Sequence, residues 1–251
     1  DHMGVYLRQF LESEGVNTSL LKNTPNHLTA LVLLGVSPPD RFPLIFYREN
    51  CADMQIKTED LKPEIFKQAK SLLITGTGIS TPEMRITTLE AVKLAKTCGC
   101  AVILDIDYRP VLWGLTDVGD GETRFVSSNK VTKELQFFLP ELDLIVGTEE
   151  EIKICAGISE KNVSEKLGEA ISRIRKQTNA TIVLKKGEKG CEIYVPDSKI
   201  PISSRSFKIK VLNVLGAGDA FMSGFLRGWL REQSLEICAI YGNACGALVV
   251  T

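Results

Sequence analysis

The chain has 251 residues, 44% hydrophobic and 24% charged, with a formal net charge of −1. That is ample material for a buried core, and no charge excess with which to grip nucleic acid or an anionic membrane surface. Seven scattered cysteines, an odd number, suit a reducing compartment rather than a disulfide framework, and two histidines, His2 and His27, leave no basis for a histidine triad or multi-histidine metal site. Chemistry therefore falls to carboxylates, arginines, lysines and backbone amides. No apolar run approaches the roughly 18 residues of a membrane span, and the N-terminus lacks a charged stretch followed by an apolar one. A cytoplasmic address and a small-molecule partner are expected.

In chain order, apolar periodicity predicts a helix over residues 4–14, then two β-rich runs, 28–36 and 42–48, separated by Ser-Pro-Pro-Asp as in a hairpin. Strand-like runs follow at 71–75, 101–105, 142–146, 181–185, 191–195 and 208–214. Helix-like runs at 82–97, 130–138, 149–156, 163–178, 217–231 and 235–249 alternate with them. Stretches such as AVILDI, DLIVG and TIVLKK are continuously apolar, as parallel strands covered on both faces require. The sum is an α/β sandwich with a mainly parallel sheet, organised as one domain. Ligands of such sheets bind beyond the carboxyl ends of the strands. The polar residues placed there are Asp105, Asp107 and Arg109; Thr148 to Glu151; Lys185, Lys186 and Gly187; and Gly216 to Asp219.

In Gly216-Ala217-Gly218-Asp219 the glycines let the backbone approach a ligand, and the first unpaired amides of the following helix form an anion site. On spacing alone, Asp219 is most simply a helix N-cap. The sharper alternative is a base that receives the proton of a hydroxyl attacking a bound phosphate. A phosphate-binding Gly-x-x-x-x-Gly-Lys-Ser/Thr loop is absent, and Phe221 stands where a dinucleotide fingerprint needs its third glycine.

The stretch LNVLGAGDAFMSGFLRGWL resembles the C-terminal signature of the PfkB (ribokinase-like) carbohydrate kinases. PLIFYRENCADM, DIDYRPVLW, LIVGTEEEI, LKKGEKGC and YGNACGALVVT resemble further segments of that family in its order, from end to end of the chain. The resemblance implies a three-layer αβα sandwich with residues 28–50 as part of a small β lid, through which a homodimer forms. It implies ATP and Mg²⁺, with a monovalent cation also open, and transfer of phosphate to the terminal hydroxyl of a sugar acid. The segments look most like the branch acting on 5-dehydro-2-deoxygluconate; 2-keto-3-deoxygluconate is the alternative, as is a degenerate homologue that binds ligand without catalysis.

Carried over by position, the resemblance makes Asp219 the base and the amides of Gly216, Ala217 and Gly218 the anion hole. Arg48 and Arg109 face the substrate's acid end or the transferring phosphate, and Glu150 holds magnesium through water. Gly187 and Gly190 pass under the nucleotide, Lys185 reaches a phosphate, and Asn243 lies on the adenine side. Plainer readings stand beside these. Arg48 pairs with a nearby carboxylate, Thr148 and Glu151 form a capping box, KGEKG is a hairpin turn, Lys185 is solvated, and Gly242, Ala244 and Gly246 let two helices approach. The chain departs from the family in having Asn213-Val214 for Asp-Thr, Gly147 for asparagine and Asp107 for asparagine. Asp1-His2-Met3-Gly4 resembles a motif well inside these kinases, so the family's N-terminal quarter is expected to be missing.

Overall fold

A computed structural model describes residues 1–36, 43–159 and 166–251. Helix α1, His2–Ser13, starts where the Asp1 carboxylate accepts the Gly4 amide at 2.8 Å. The same carboxylate takes the Thr29 amide at 2.7 Å, tying the helix to the chain entering a small antiparallel ribbon. That ribbon is β1, Leu31–Leu34, paired with β2, Leu44–Tyr47, in the register Leu31 to Tyr47 and Leu33 to Ile45. The Ser-Pro-Pro-Asp turn and Phe42 lie outside the described residues.

After a short helix α2, Pro63–Gln68, the main sheet begins. Its strands are β3 (Ser71–Thr75), β4 (Ala101–Asp105), β5 (Leu144–Thr148), β6 (Thr181–Lys185), β7 (Cys191–Tyr194) and β8 (Ile202–Ser204). They lie side by side in that order; β3 to β6 are mutually parallel and β7 and β8 antiparallel. Helices α3 (Pro82–Thr97), α4 (Asn129–Phe138), α5 (Glu149–Cys155) and α6 (Leu167–Arg175) run between the parallel strands, and α7 (Ala217–Trp229) and α8 (Leu235–Val249) follow the last strand. Of the expected helix 163–178, residues 163–165 lie outside the described residues.

Local chemistry sets these elements. Helix α3 is capped by the Thr81 hydroxyl, begins at Pro82, and turns Met84, Thr87, Thr88, Ala91, Val92 and Ala95 inward at helical spacing. Strand β4 is continuously apolar because both its faces are covered. Val102 and Leu104 join the core beneath α3 to α6, while Ile103 joins a second core with Leu144, Val146, Val183, Phe221 and Phe225 beneath α7 and α8. Helices α7 and α8 approach closely at glycines. A Cβ on Gly224 would stand 2.3 Å from the Tyr241 carbonyl oxygen, and one on Gly242 would stand 2.9 Å from the Phe221 ring. Gly242 thus serves helix contact, as the plainer reading has it.

One expected strand is not formed. Residues 208–214 are irregular, and the last strand of the sheet is β8, which ends at Ser204, well upstream of the turn at Gly216. Val211, Leu212 and Val214 are 49, 61 and 45% exposed. With no sheet face to pack on, their β preference has nothing to stabilise it. A single backbone bond, Leu212 amide to Val250 carbonyl at 2.7 Å, lashes the stretch to the end of α8. Among the described residues no helix is long and apolar enough to cross a membrane.

Candidate active site

The turn into α7 is made by Gly216, whose φ of 76° is left-handed and therefore suited to glycine. Gly216 is the N-cap, and Asp219 is the third residue of the helix, exposed, with its side chain capping nothing. The amides of Gly216, Gly218 and Asp219 donate to no acceptor among the described residues, whereas that of Ala217 reaches the Val214 carbonyl at 3.4 Å. Two of the open donors, Gly216 and Gly218, belong to the set expected from the sequence; Asp219 stands in for Ala217 as the third. Upstream, Asn213 accepts the Leu215 amide at 3.0 Å and so braces the turn.

Beside this helix end lies Lys185, which is not solvated. Its ammonium bonds Asp105 Oδ1 at 3.1 Å, with the two side chains only 14 and 8% exposed. A Cβ on Gly218 would sit 3.4 Å from Lys185 Nζ, so the ammonium borders the open amides. Burial pushes the Asp105 carboxyl up to about 6, against the pull of Lys185 and with a further push from Glu151. For Lys185, burial opposes the charge, but Asp105 and Glu151 outweigh it and hold the ammonium above its ordinary value.

At the ends of β4 and β5 the capping box forms as read. Thr148 Oγ1 accepts the Glu151 amide at 3.3 Å, and Glu151 Oε2 accepts the Thr148 amide at 2.7 Å. Glu151 also accepts the Tyr108 amide at 3.1 Å through Oε1, which fastens the tail of β4 to the start of α5. Its neighbour Glu150 is left exposed in the first turn of that helix. Gly147 is where asparagine is expected: a Cβ there would meet Ile106 Cδ1 at 2.9 Å and Glu151 Cβ at 3.3 Å, so Glu151 fills the space. Asp107 pairs with Arg109 at 3.0 Å and accepts the Thr77 hydroxyl at 3.4 Å.

Sequence reasoning missed Arg124, a solvent-exposed residue whose guanidinium lies near enough to Arg109, Glu151, Asp107 and Glu150 to feel their charges. It sits in an irregular stretch held by Asp120, which accepts the Thr123 amide at 3.0 Å and hydroxyl at 2.7 Å, and by the Gly121 amide bonding the Leu44 carbonyl at 3.1 Å. Neither periodicity nor a motif marks such a position.

Other expected residues are engaged elsewhere. Arg48 forms an ion pair with Asp53, not Glu49, leaving Arg48 Nε and Asp53 Oδ1 buried without a partner. Gly187 and Gly190 shape the turn between β6 and β7, closed by the Lys186 amide on the Gly190 carbonyl at 2.8 Å. A Cβ on Gly190 would stand 2.0 Å from the Ser204 carbonyl oxygen. Asn243, 5% exposed, donates to Ser204 Oγ at 3.1 Å and to the Arg205 carbonyl at 3.3 Å. Gly190 and Asn243 therefore meet at the end of β8. Among the described residues, no group of three or more His, Cys, Asp or Glu is placed to hold a metal ion alone.

A sheet whose carboxyl ends meet an open helix N-terminus and a buried ammonium is built to receive an anion. Over residues 1–251 the chain matches the pfkB family of carbohydrate kinases. It is 29% identical over 252 residues to 5-dehydro-2-deoxygluconokinase of Listeria monocytogenes serotype 4b (strain CLIP80459), covering 100% of this chain and 72% of that one. The enzyme of the same name from Lacticaseibacillus casei is 28% identical with the same coverage. Among solved structures, the fructokinase of Vibrio cholerae O395 in its fructose-, ADP- and calcium-bound form superposes with a TM-score of 0.80 at 22% identity, covering 100% of this chain and 76% of that one. The fold is the ribokinase-like three-layer sandwich. The chain belongs to the pfkB family and is a carbohydrate kinase.

Proposed function

We propose that the chain transfers the γ-phosphoryl group of ATP to the terminal hydroxyl of a sugar acid, 5-dehydro-2-deoxygluconate, in inositol catabolism. The observation that carries this reading is Asp219. It is an exposed carboxylate that caps nothing, one turn into a helix whose flanking amides are open and whose N-terminus borders the Lys185 ammonium. Repulsion makes it a poor phosphate ligand and a suitable acceptor for the proton of an attacking hydroxyl. The amides and Lys185 stabilise charge on the transferring group. Arg109, with Arg124 beside it, presents planar donors to the acid end of the sugar, and Arg48 does so from the β1–β2 side. Gly187, Gly190 and Asn243 shape the strand ends that border the nucleotide.

Glu150, exposed in the first turn of α5, fits an ion carried chiefly by the phosphates and touched by one carboxylate through water. Bound magnesium would supply neutralisation of phosphate charge. The sugar acid is favoured by the relatives named for 5-dehydro-2-deoxygluconate, 27–29% identical to this chain. Seven cysteines free of disulfides support a cytoplasmic address. A homodimer through residues 28–50 is supported by the apolar face of Leu31, Leu33, Ile45 and Tyr47, exposed on the ribbon; sedimentation of the purified chain reads it directly. The substrate is tested by offering purified protein ATP with each acid. We expect higher kcat/KM for 5-dehydro-2-deoxygluconate; preference for 2-keto-3-deoxygluconate would overturn the substrate assignment.

A further inference from the structure

The contact between Asp105 and Lys185 joins residues eighty apart in sequence. Asp105 is in register with Val146, and Lys185 with Thr148 two residues further along β5. Side chains two apart on a strand share a face, so both charges leave the sheet on the side covered by α7 and α8, with Ile103, Val146 and Val183 below them. Lys185 reaches across β5 to make the bond. A pair this buried is a weak source of stability, because each charge is stripped of water and apolar side chains of similar volume fill such a space as well.

The ammonium has three donors and uses one on Asp105; the other two meet no acceptor among the described residues. It borders Gly218, beside the open amides of Gly218 and Asp219. A lysine held at that point is a preorganised charge, needing no rearrangement when negative charge develops on a phosphoryl group.

We propose that Asp105 is a positioning residue for phosphoryl transfer, fixing the Lys185 ammonium beside Gly218 so that it contacts the transferring group together with the amides at the N-terminus of α7. The inference rests on the kinase reading above. Asp105 touches neither substrate; it acts through Lys185.

That division of labour has a signature in a double-mutant cycle with Asp105→Asn, Lys185→Met and the combined variant. Lys185→Met is expected to lower kcat by about 10²–10³-fold, the scale of losing one charge-stabilising donor, with KM for the sugar acid nearly unchanged. Asp105→Asn is expected to lower kcat about tenfold or more, and the combined variant to lose no more than Lys185→Met alone, since Asp105 then has nothing to hold. Asp105→Glu, which keeps the charge, should recover part of the loss and controls for folding. The proposal is overturned if Asp105→Asn keeps kcat within about twofold of the parent, or if the two losses multiply. If the parent phosphorylates no sugar acid, the kinase reading fails instead. Calorimetry then decides: each single variant must weaken ATP at least about fivefold while leaving adenosine unaffected, the pattern of a lost phosphate contact, and unchanged ATP affinity would overturn the proposal.

Discussion

At the residue scale, Asp105 carries a consequence for pH. Its carboxyl, pushed up to about 6 by burial, takes up a proton more readily in the folded chain than in the unfolded one. Its stability contribution is therefore fully present below the unfolded value and lost as pH rises through about 6. Activity runs the other way. Protonation removes the anion that holds Lys185; the other acidic groups acting on Asp105 are Glu151, which accepts the Tyr108 and Thr148 amides, and Asp107, paired with Arg109. Turnover should fall as pH drops through about 6, and this part of the acid limb should be missing from Asp105→Asn; an identical limb in both proteins would remove Asp105 from it. Asp219 is legible in sequence because two glycines and a long amphipathic helix frame it. Its freedom from capping is not, since only the backbone shows that Gly216 holds that position. Asp105 and Lys185 are each visible as strand-end polar residues, yet their bond crosses an intervening strand and leaves no local pattern. Arg124 leaves none either.

At the element scale, helices α7 and α8 are set by glycines at their crossing. Gly224→Ala places a methyl group 2.3 Å from the Tyr241 carbonyl oxygen and 2.7 Å from its carbon, so backbone must move. Overpacking of this kind destabilises by about 1–3 kcal/mol, and for a chain of this size each kcal/mol lowers Tm by about 2–4 °C. Calorimetric melting should show that loss; an unchanged Tm would mean the two helices have slack the geometry does not show. The parallel strands and the helices between them are legible because their apolar runs are long and doubly covered. Residues 208–214 mislead because alternation of apolar and charged side chains describes a strand only where a sheet face waits for it, and β8 already ends the sheet.

At the scale of the whole molecule, the parallel strands β4, β5 and β6 deliver Asp105, Glu150, Glu151 and Lys185 to one end of the sheet, and the N-terminus of α7 brings its open amides to that end. This convergence is a property of topology: parallel strands end on one side of the sheet and gather there the polar residues that follow them. The departures from the family are absorbed locally: Gly147 gives its space to Glu151, and Asn213 braces the turn it precedes. In the proposed reaction Asp219 receives the proton of the attacking hydroxyl. The direct measurement is steady-state phosphoryl transfer from ATP to 5-dehydro-2-deoxygluconate by Asp219→Asn beside its parent, with ATP affinity measured on both. The expected result is a kcat lower by about 10²–10⁴-fold with ATP affinity retained; a kcat near that of the parent would remove Asp219 as the base.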